Sequence, residues 1–186
     1  MTPALAKGMF LVATPALRDP NFRQTVVLLC EHGPEGALGV VVNRPTAMSI
    51  SEALPQMPVL EGQRHLLFSG GPVQPNHVLI LYRMVQEPTG SHHVFDGVYL
   101  GGDMKAVEEV LAKPAGAETF RAYMGYSGWG PGQLENEMKT GAWILLPADP
   151  QVVFEKDPAT VWQDILKSLG EPYTFYADMP LDPGLN

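Results

Sequence analysis

The chain has 186 residues, 45% of them hydrophobic and 17% charged, with 12 basic against 20 acidic side chains and a net charge of −8. That length suits one domain with enough buried surface to need no metal or disulfide staple. The lone cysteine, Cys30, excludes an intramolecular disulfide. Acidity works against a long-range pull on nucleic acid, and apolar runs of about five residues fall far short of the ~20 that span a bilayer.

The first residues lack the apolar stretch of a signal peptide, so a cytoplasmic location is expected. Phe10 to Ala13 reads as a strand, followed by a turn from Pro15 to Pro20. Thr25 to Glu31 and Ala37 to Asn43 are rich in aliphatic and β-branched residues and read as buried strands. The intervening His32-Gly-Pro-Glu-Gly36 suits an antiparallel hairpin. Arg44-Pro45-Thr46 should break the second strand, because proline donates nothing to a ladder. Ser49 to Glu52 has capping-box spacing and predicts a short helix to about Leu54.

Arg64 to Ser69 is predicted as a strand closed by Gly70-Gly71-Pro72, and His77 to Arg83 as another. Pro88 to His92 reads as a loop and Gly97 to Leu100 as a short strand. Asp103 is placed as N-cap of a helix whose apolar face is Met104, Val107, Val110 and Leu111, ending before Pro114. Thr119 to Ser127 alternates and is assigned as a strand feeding a glycine-dense turn. Gln133 to Lys139 is a helix stopped by Gly141, and Ala142 to Leu146 and Gln151 to Glu155 are strands. Asp157-Pro158 opens a last helix with a core face of Trp162, Ile165, Leu166 and Leu169. The tail from Glu171 to Asn186 is expected to be extended. With no repeat and no linker, residues 1–186 read as one α+β domain with a mainly antiparallel sheet and a core of about 7–170.

Three stretches carry a resemblance: Gly36-Ala-Leu-Gly-Val-Val-Val-Asn-Arg-Pro45, Phe68-Ser-Gly-Gly-Pro-Val73, and Gly125-Tyr-Ser-Gly-Trp-Gly-Pro-Gly-Gln-Leu-Glu-Asn-Glu137. In this order and spacing the chain resembles the YqgE/AlgH family of bacterial proteins over roughly residues 7 to 170. The resemblance implies a bulged, coiled sheet forming a pseudo-barrel with surrounding helices. It implies no defined activity, although the family sometimes carries the label of putative transcriptional regulator.

Chemistry-bearing signals are sparse. The turn at Trp129 and Gly130, with Gln133 and Glu135 on the following helix, could offer backbone N–H groups to an anion. It lacks the Gly-Lys-Ser/Thr of a phosphate loop, and Pro131 removes a donor, so a Trp-packed turn is the alternative. Asn43 and Arg44 stand at a strand end, where Arg44 could clamp a phosphate or carboxylate, pair with an acid such as Glu135, or bond carbonyls. Gly70 and Gly71 could admit a ligand closely or simply make a turn. Ser127 sits in a near miss of the nucleophile elbow, and five histidines show no zinc spacing. Cys30 reads as a buried, inert thiol. No metal or cofactor is expected.

The favoured reading is a non-catalytic binding or interaction module. In it, the strand-end loops at 43–45, 70–73 and 128–135 converge on a small anionic ligand or a protein partner. Transcriptional regulation and an enzyme of unidentified class are the alternatives, and direct nucleic-acid binding is disfavoured.

Overall fold

Aliphatic runs without alternation require cover on both faces of a sheet, and the first strands have it. In the computed structural model, which describes residues 3–62, 65–87, 90–101, 104–112 and 119–179, β1 (Met9–Ala13), β2 (Val26–Gly33) and β3 (Gly36–Val41) form an antiparallel ladder. Phe10, Val12, Val26 and Leu28 face one core, closed by Val153, Val161, Trp162 and Leu166 from the C-terminal helices. Leu11, Ala13, Val27 and Leu29 face a second, closed by Leu134, Trp129 and Trp143 with Phe22 packed against them. The ladder register slips between Leu29 and Glu31, which makes Cys30 the extra residue of a bulge.

The remaining strands are β4 (Pro45–Ser49), β5 (Leu66–Ser69), β6 (Val73–Arg83), β7 (Ser91–Phe95), β8 (Val98–Gly101), β9 (Thr119–Trp129) and β10 (Trp143–Pro147). Their order is β10-β1-β2-β3-β9-β6-β8-β7, with β5 joining β9 and β4 joining β5. All pairings are antiparallel except β5 on β9. The sheet curls into a half-barrel, bringing the residues before β1 against its far edge. Lys7 Nζ donates to His93 O at 2.9 Å, and a Cβ on Gly8 would stand 2.9 Å from that of Phe95.

Eleven-residue β9 is the seam of the molecule. Its first half pairs with β6 on one side and β5 on the other, and its last three residues pair with β3. Gly70 stitches the fork where β3 and β5 part. Its N–H donates to Met124 O at 2.8 Å, while its carbonyl accepts from Val41 N at 2.9 Å and Ser127 Oγ at 3.1 Å. A third core, with Ile50, Leu60, Tyr82, Val107 and Phe120, fills the outer face of β5, β6 and β9. It is covered by α1 (Ile50–Ala53) and α2 (Met104–Ala112). The helices α3 (Gln133–Lys139), α4 (Pro150–Phe154), α5 (Val161–Ser168) and α6 (Tyr173–Ala177) complete the fold.

The α+β half-barrel agrees with the expectation, as does the capping box: Ser49 N–H donates to Glu52 Oε2 at 2.7 Å and Glu52 N–H to Ser49 Oγ at 3.3 Å. Five local readings are corrected. Pro45 begins a strand instead of ending one, because β4 is an edge and its missing donor faces no partner strand. His92 lies inside β7, where it pairs with Leu100. Residues 151–154 are helical, with Glu155 as the C-cap: Asp149 accepts from Gln151 N at 2.9 Å and Pro150 opens α4, a start signal that outweighs the β-branched pair Val152-Val153. The supposedly extended tail holds α6, anchored by buried Ala177 and a 2.7 Å Lys167–Asp178 ion pair. Asp157-Pro158 makes a turn, and α5 starts three residues later, after Thr160. Asp103, Arg64 and Pro88 fall outside the described residues, as do the side chains of Met104, Val110 and Leu111 on the expected face of α2, whereas Val107 is buried.

Candidate functional site

Asn43 and Arg44 leave β3 at its end and reach back to the segment before β2. Asn43 accepts from Val26 N at 2.9 Å and donates to Gln24 O at 2.9 Å, so one amide pins two backbone groups. Gln24 is thereby held at φ +54°, a left-handed conformation that non-glycine residues rarely adopt. Arg44 donates from Nη2 to Pro20 O at 3.1 Å and Arg23 O at 3.0 Å, and from Nη1 to Asn21 O. Its Nε–H and one Nη1 hydrogen have no partner among the described residues. Of the three roles open to Arg44 in the sequence, bonding carbonyls is the one present here.

These residues form one wall of a cleft of about 420 Å³, completed by Pro20, Arg23 and, from the approach to α5, Pro158, Ala159, Trp162 and Gln163. Trp162 is nearly fully buried, its indole N–H donating to Ala13 O at 2.9 Å, so α5 is fixed against β1. Burial first, and then the charge of Arg23, depress the Arg44 pKa; Asp19 opposes them. The half-buried Arg44 and the exposed Arg23 thus both line one cleft. The side chains of Arg23, Gln24 and Gln163 have no hydrogen-bond partner among the described residues.

The other candidates lie elsewhere. Trp129 pairs with Ala37 at the start of β3, whereas Gly70 touches Val41 at its end. Glu135 pairs with His32 at 2.7 Å, not with Arg44. Its carboxyl is held below the usual range by its own backbone N–H and then by His32. Gln133 Oε1 accepts from Gly130 N at 3.0 Å, closing the turn on itself. Gly71 sits at φ +150° with its Cβ direction filled by the Tyr126 and Ser127 backbone, which leaves room for no side chain. Gly70 and Gly71 do lie next to Arg44, since Ser69 N–H donates to Arg44 O at 2.8 Å. The structure therefore brings together the loops at 43–45 and 70–71. The 128–135 turn meets the 70–73 loop at Gly128, whose Cβ direction is met by Val73 at 3.6 Å, while the Phe22 ring lies 6.0 Å from that of Trp129.

Ser127 is buried and bonded to Gly70 O, which removes it as a nucleophile. Among the described residues no three metal-ligating side chains gather. Burial pushes the Cys30 thiol, and likewise the Tyr123 phenol, well above their ordinary values of 9.0 and 10.0. Both stay protonated in the folded chain while the unfolded chain would ionise. Stability is therefore intact below pH 9 and lost above it, by up to about 1.4 kcal/mol per pH unit for each group. Urea midpoints at pH 8, 9 and 10 should fall progressively, with a shallower fall between 9 and 10 for Cys30→Ala. An unchanged slope in that variant would exclude the thiol.

The AlgH-like family model matches residues 10–174. The chain belongs to the YqgE/AlgH family. A UPF0301 protein of Streptomyces avermitilis is 40% identical over 96% of this chain and 94% of its own length. Another, from Cytophaga hutchinsonii, is 35% identical over 98% of this chain and all of its own. The solution structure of AlgH from Pseudomonas aeruginosa superimposes with a TM-score of 0.75 at 30% identity, over 97% of both chains. A crystal structure from Corynebacterium diphtheriae has the same fold, with a TM-score of 0.80 at 23% identity over 96% of this chain and 95% of that one.

Arg44 and Asn43 were legible as strand-end residues of this YqgE/AlgH chain, but Arg23, Gln24, Trp162 and Gln163 were missed. The apolar face of α5 gave Trp162 as core, and no spacing in the sequence joins residue 23 to residue 163.

Proposed function

We propose that this YqgE/AlgH-family chain is a cytoplasmic, non-catalytic module that binds a small anion, a carboxylate or phosphate, in the cleft between Arg23, Arg44 and the start of α5. The observation that carries this reading is the pairing of two guanidinium groups in one recess of a chain whose net charge is −8. Mutual repulsion there is relieved by an anion, and the volume lies in the range of small-molecule sites. Arg23 keeps its full fork for the ligand. Arg44 has spent three donors on the loop, so it supplies charge and order more than a bidentate grip. Gln24 and Gln163 add neutral donors and acceptors at the rim.

Nothing comparable supports direct DNA contact. The two helices of eight or more residues among those described, α2 and α5, are not neighbours in the chain and carry acids beside single lysines.

A thermal-shift screen against phosphate, sugar phosphates and small carboxylates tests the proposal. At 100 times its dissociation constant a ligand stabilises by about 2.7 kcal/mol, roughly 5–10 °C for a domain this size. Arg23→Ala should preserve the melting midpoint of the free protein yet weaken the ligand about 10- to 100-fold, the worth of one charge-assisted contact. Arg44→Ala should destabilise the free protein by about 2–4 kcal/mol by freeing three loop carbonyls. A screen with no hit, or hits indifferent to Arg23, would remove the cleft from consideration.

A further inference from the structure

Inside the half-barrel, two buried polar atoms have no partner among the described residues: Nη1 of the part-buried Arg121 and OH of the buried Tyr123. They belong to alternate residues of β9, opposite Leu81 and Leu79 of β6, and so project from the same face of the sheet. Both flank one ring. Arg121 Cζ stands 4.5 Å from the centroid of Phe68, and the Tyr123 ring lies 5.8 Å from that same centroid. Among the described residues Arg121 makes one hydrogen bond, from Nη2 to Phe154 O at 3.1 Å, where α4 ends. Glu155, the residue after Phe154, is already engaged, pairing with Arg83 at 3.3 Å.

A guanidinium stays charged at any accessible pH, and burying it without a counter-charge is costly. A buried phenol without an acceptor is also unfavourable. Both groups therefore lack the same thing, an acceptor. A water molecule could accept from both, but its own two hydrogens would then face the Phe68 ring and the aliphatic core around it. An anion accepts without donating. A phosphate or other dianion would leave most of its oxygens unpaired in an apolar interior with only two donors available.

We propose that the half-barrel encloses an internal site for a small monovalent anion of the halide class, held by Arg121 Nη1 and Tyr123 OH beside Phe68. This site is separate from the Arg23–Arg44 cleft, and neither depends on the other. It accounts for an arginine set beside Leu81, Phe68 and Tyr123 with no ion-pair partner among the described residues.

The test uses the full chain, exchanged into sodium gluconate, whose anion is too large for the interior. Chloride or bromide is then added at constant ionic strength while the melting midpoint is followed. A saturable rise is expected. Tyr123→Phe, which keeps the ring packing, should shift the halide midpoint concentration upward by about tenfold, the worth of one donor to a charged acceptor. Arg121→Met should abolish the response, and should it not fold, Tyr123→Phe carries the test alone. Arg23→Ala should leave the response intact, which separates this site from the cleft. Crystals soaked in bromide should show an anomalous peak between Nη1 and the phenol oxygen. Equal midpoints in halide and gluconate, or a water at that position in bromide-soaked crystals, would overturn the proposal.

Discussion

Replacing Glu137 with alanine should lower the melting midpoint by about 5–15 °C, because one carboxylate holds the second core together. Glu137 Oε2 accepts from the indole N–H of Trp129 at 3.0 Å and of Trp143 at 2.8 Å, and Oε1 accepts from Gln133 Nε2 at 3.2 Å. Both tryptophans are about 95% buried, so alanine leaves two indole donors without acceptor or water. Each such loss costs about 1–3 kcal/mol, giving a total of about 2–6 kcal/mol for the two. Glu137→Gln keeps an oxygen in place and forfeits only the charge, so it should cost about half as much. The two tryptophans should also change emission wavelength in the alanine variant. A midpoint within a degree of the parent would mean that water already satisfies the indoles.

Gly71→Ala should be the more damaging substitution, costing about 3 kcal/mol or more and yielding little folded protein. A Cβ at Gly71 would lie 2.3 Å from the Tyr126 carbonyl carbon and oxygen and 2.5 Å from Ser127 N. Those atoms are backbone of the seam strand and cannot rotate away. The left-handed conformation at φ +150° adds its own penalty. Gly141 separates the two effects, having φ +77° after α3 but open space around its Cβ direction. Gly141→Ala should therefore cost only about 1 kcal/mol, the conformational part. Similar losses at the two positions in urea titrations would show that conformation, and not the close approach of β9, dictates glycine at 71.

The stretch Phe68-Ser-Gly-Gly-Pro-Val73 could be seen in the sequence, but its purpose could not. Glycine was readable as a turn or as a place of close approach; that the approaching partner is a strand more than 50 residues away is a tertiary fact. Strands β1 to β3 were readable because burial on both faces writes continuous aliphatic runs. Pro45 misled, since its meaning depends on whether a strand has a neighbour on both sides, and β4 has one. Val152-Val153 misled in the same way: β-branched residues suggested a strand, but Val153 is buried by packing α4 against the inner core.

At the cleft, Arg44 was visible as a strand-end cation, and its bonds to Pro20, Asn21 and Arg23 explain how a distant loop comes to it. Gln24 left no trace in the sequence, because its left-handed backbone is imposed by the Asn43 amide. Glu135 and His32 were each noticed, but their ion pair arises from α3 folding back over the β2–β3 hairpin.

The order of the strands also bears on how the chain is made. Met9 on β1 lies opposite Pro147 on β10, and the Trp162 indole bonds Ala13 at the end of the same first strand. On the ribosome, β1 can pair with β2 early, yet its other edge must wait until nearly the whole chain has emerged. At about 5–20 residues per second that interval lasts several seconds or more. Throughout it, Leu11 and Ala13, both buried in the finished fold, stand on an open edge of the kind that recruits other chains. The fold so closed is dominated by pairings between distant segments, and it should be reached slowly for a domain of its size.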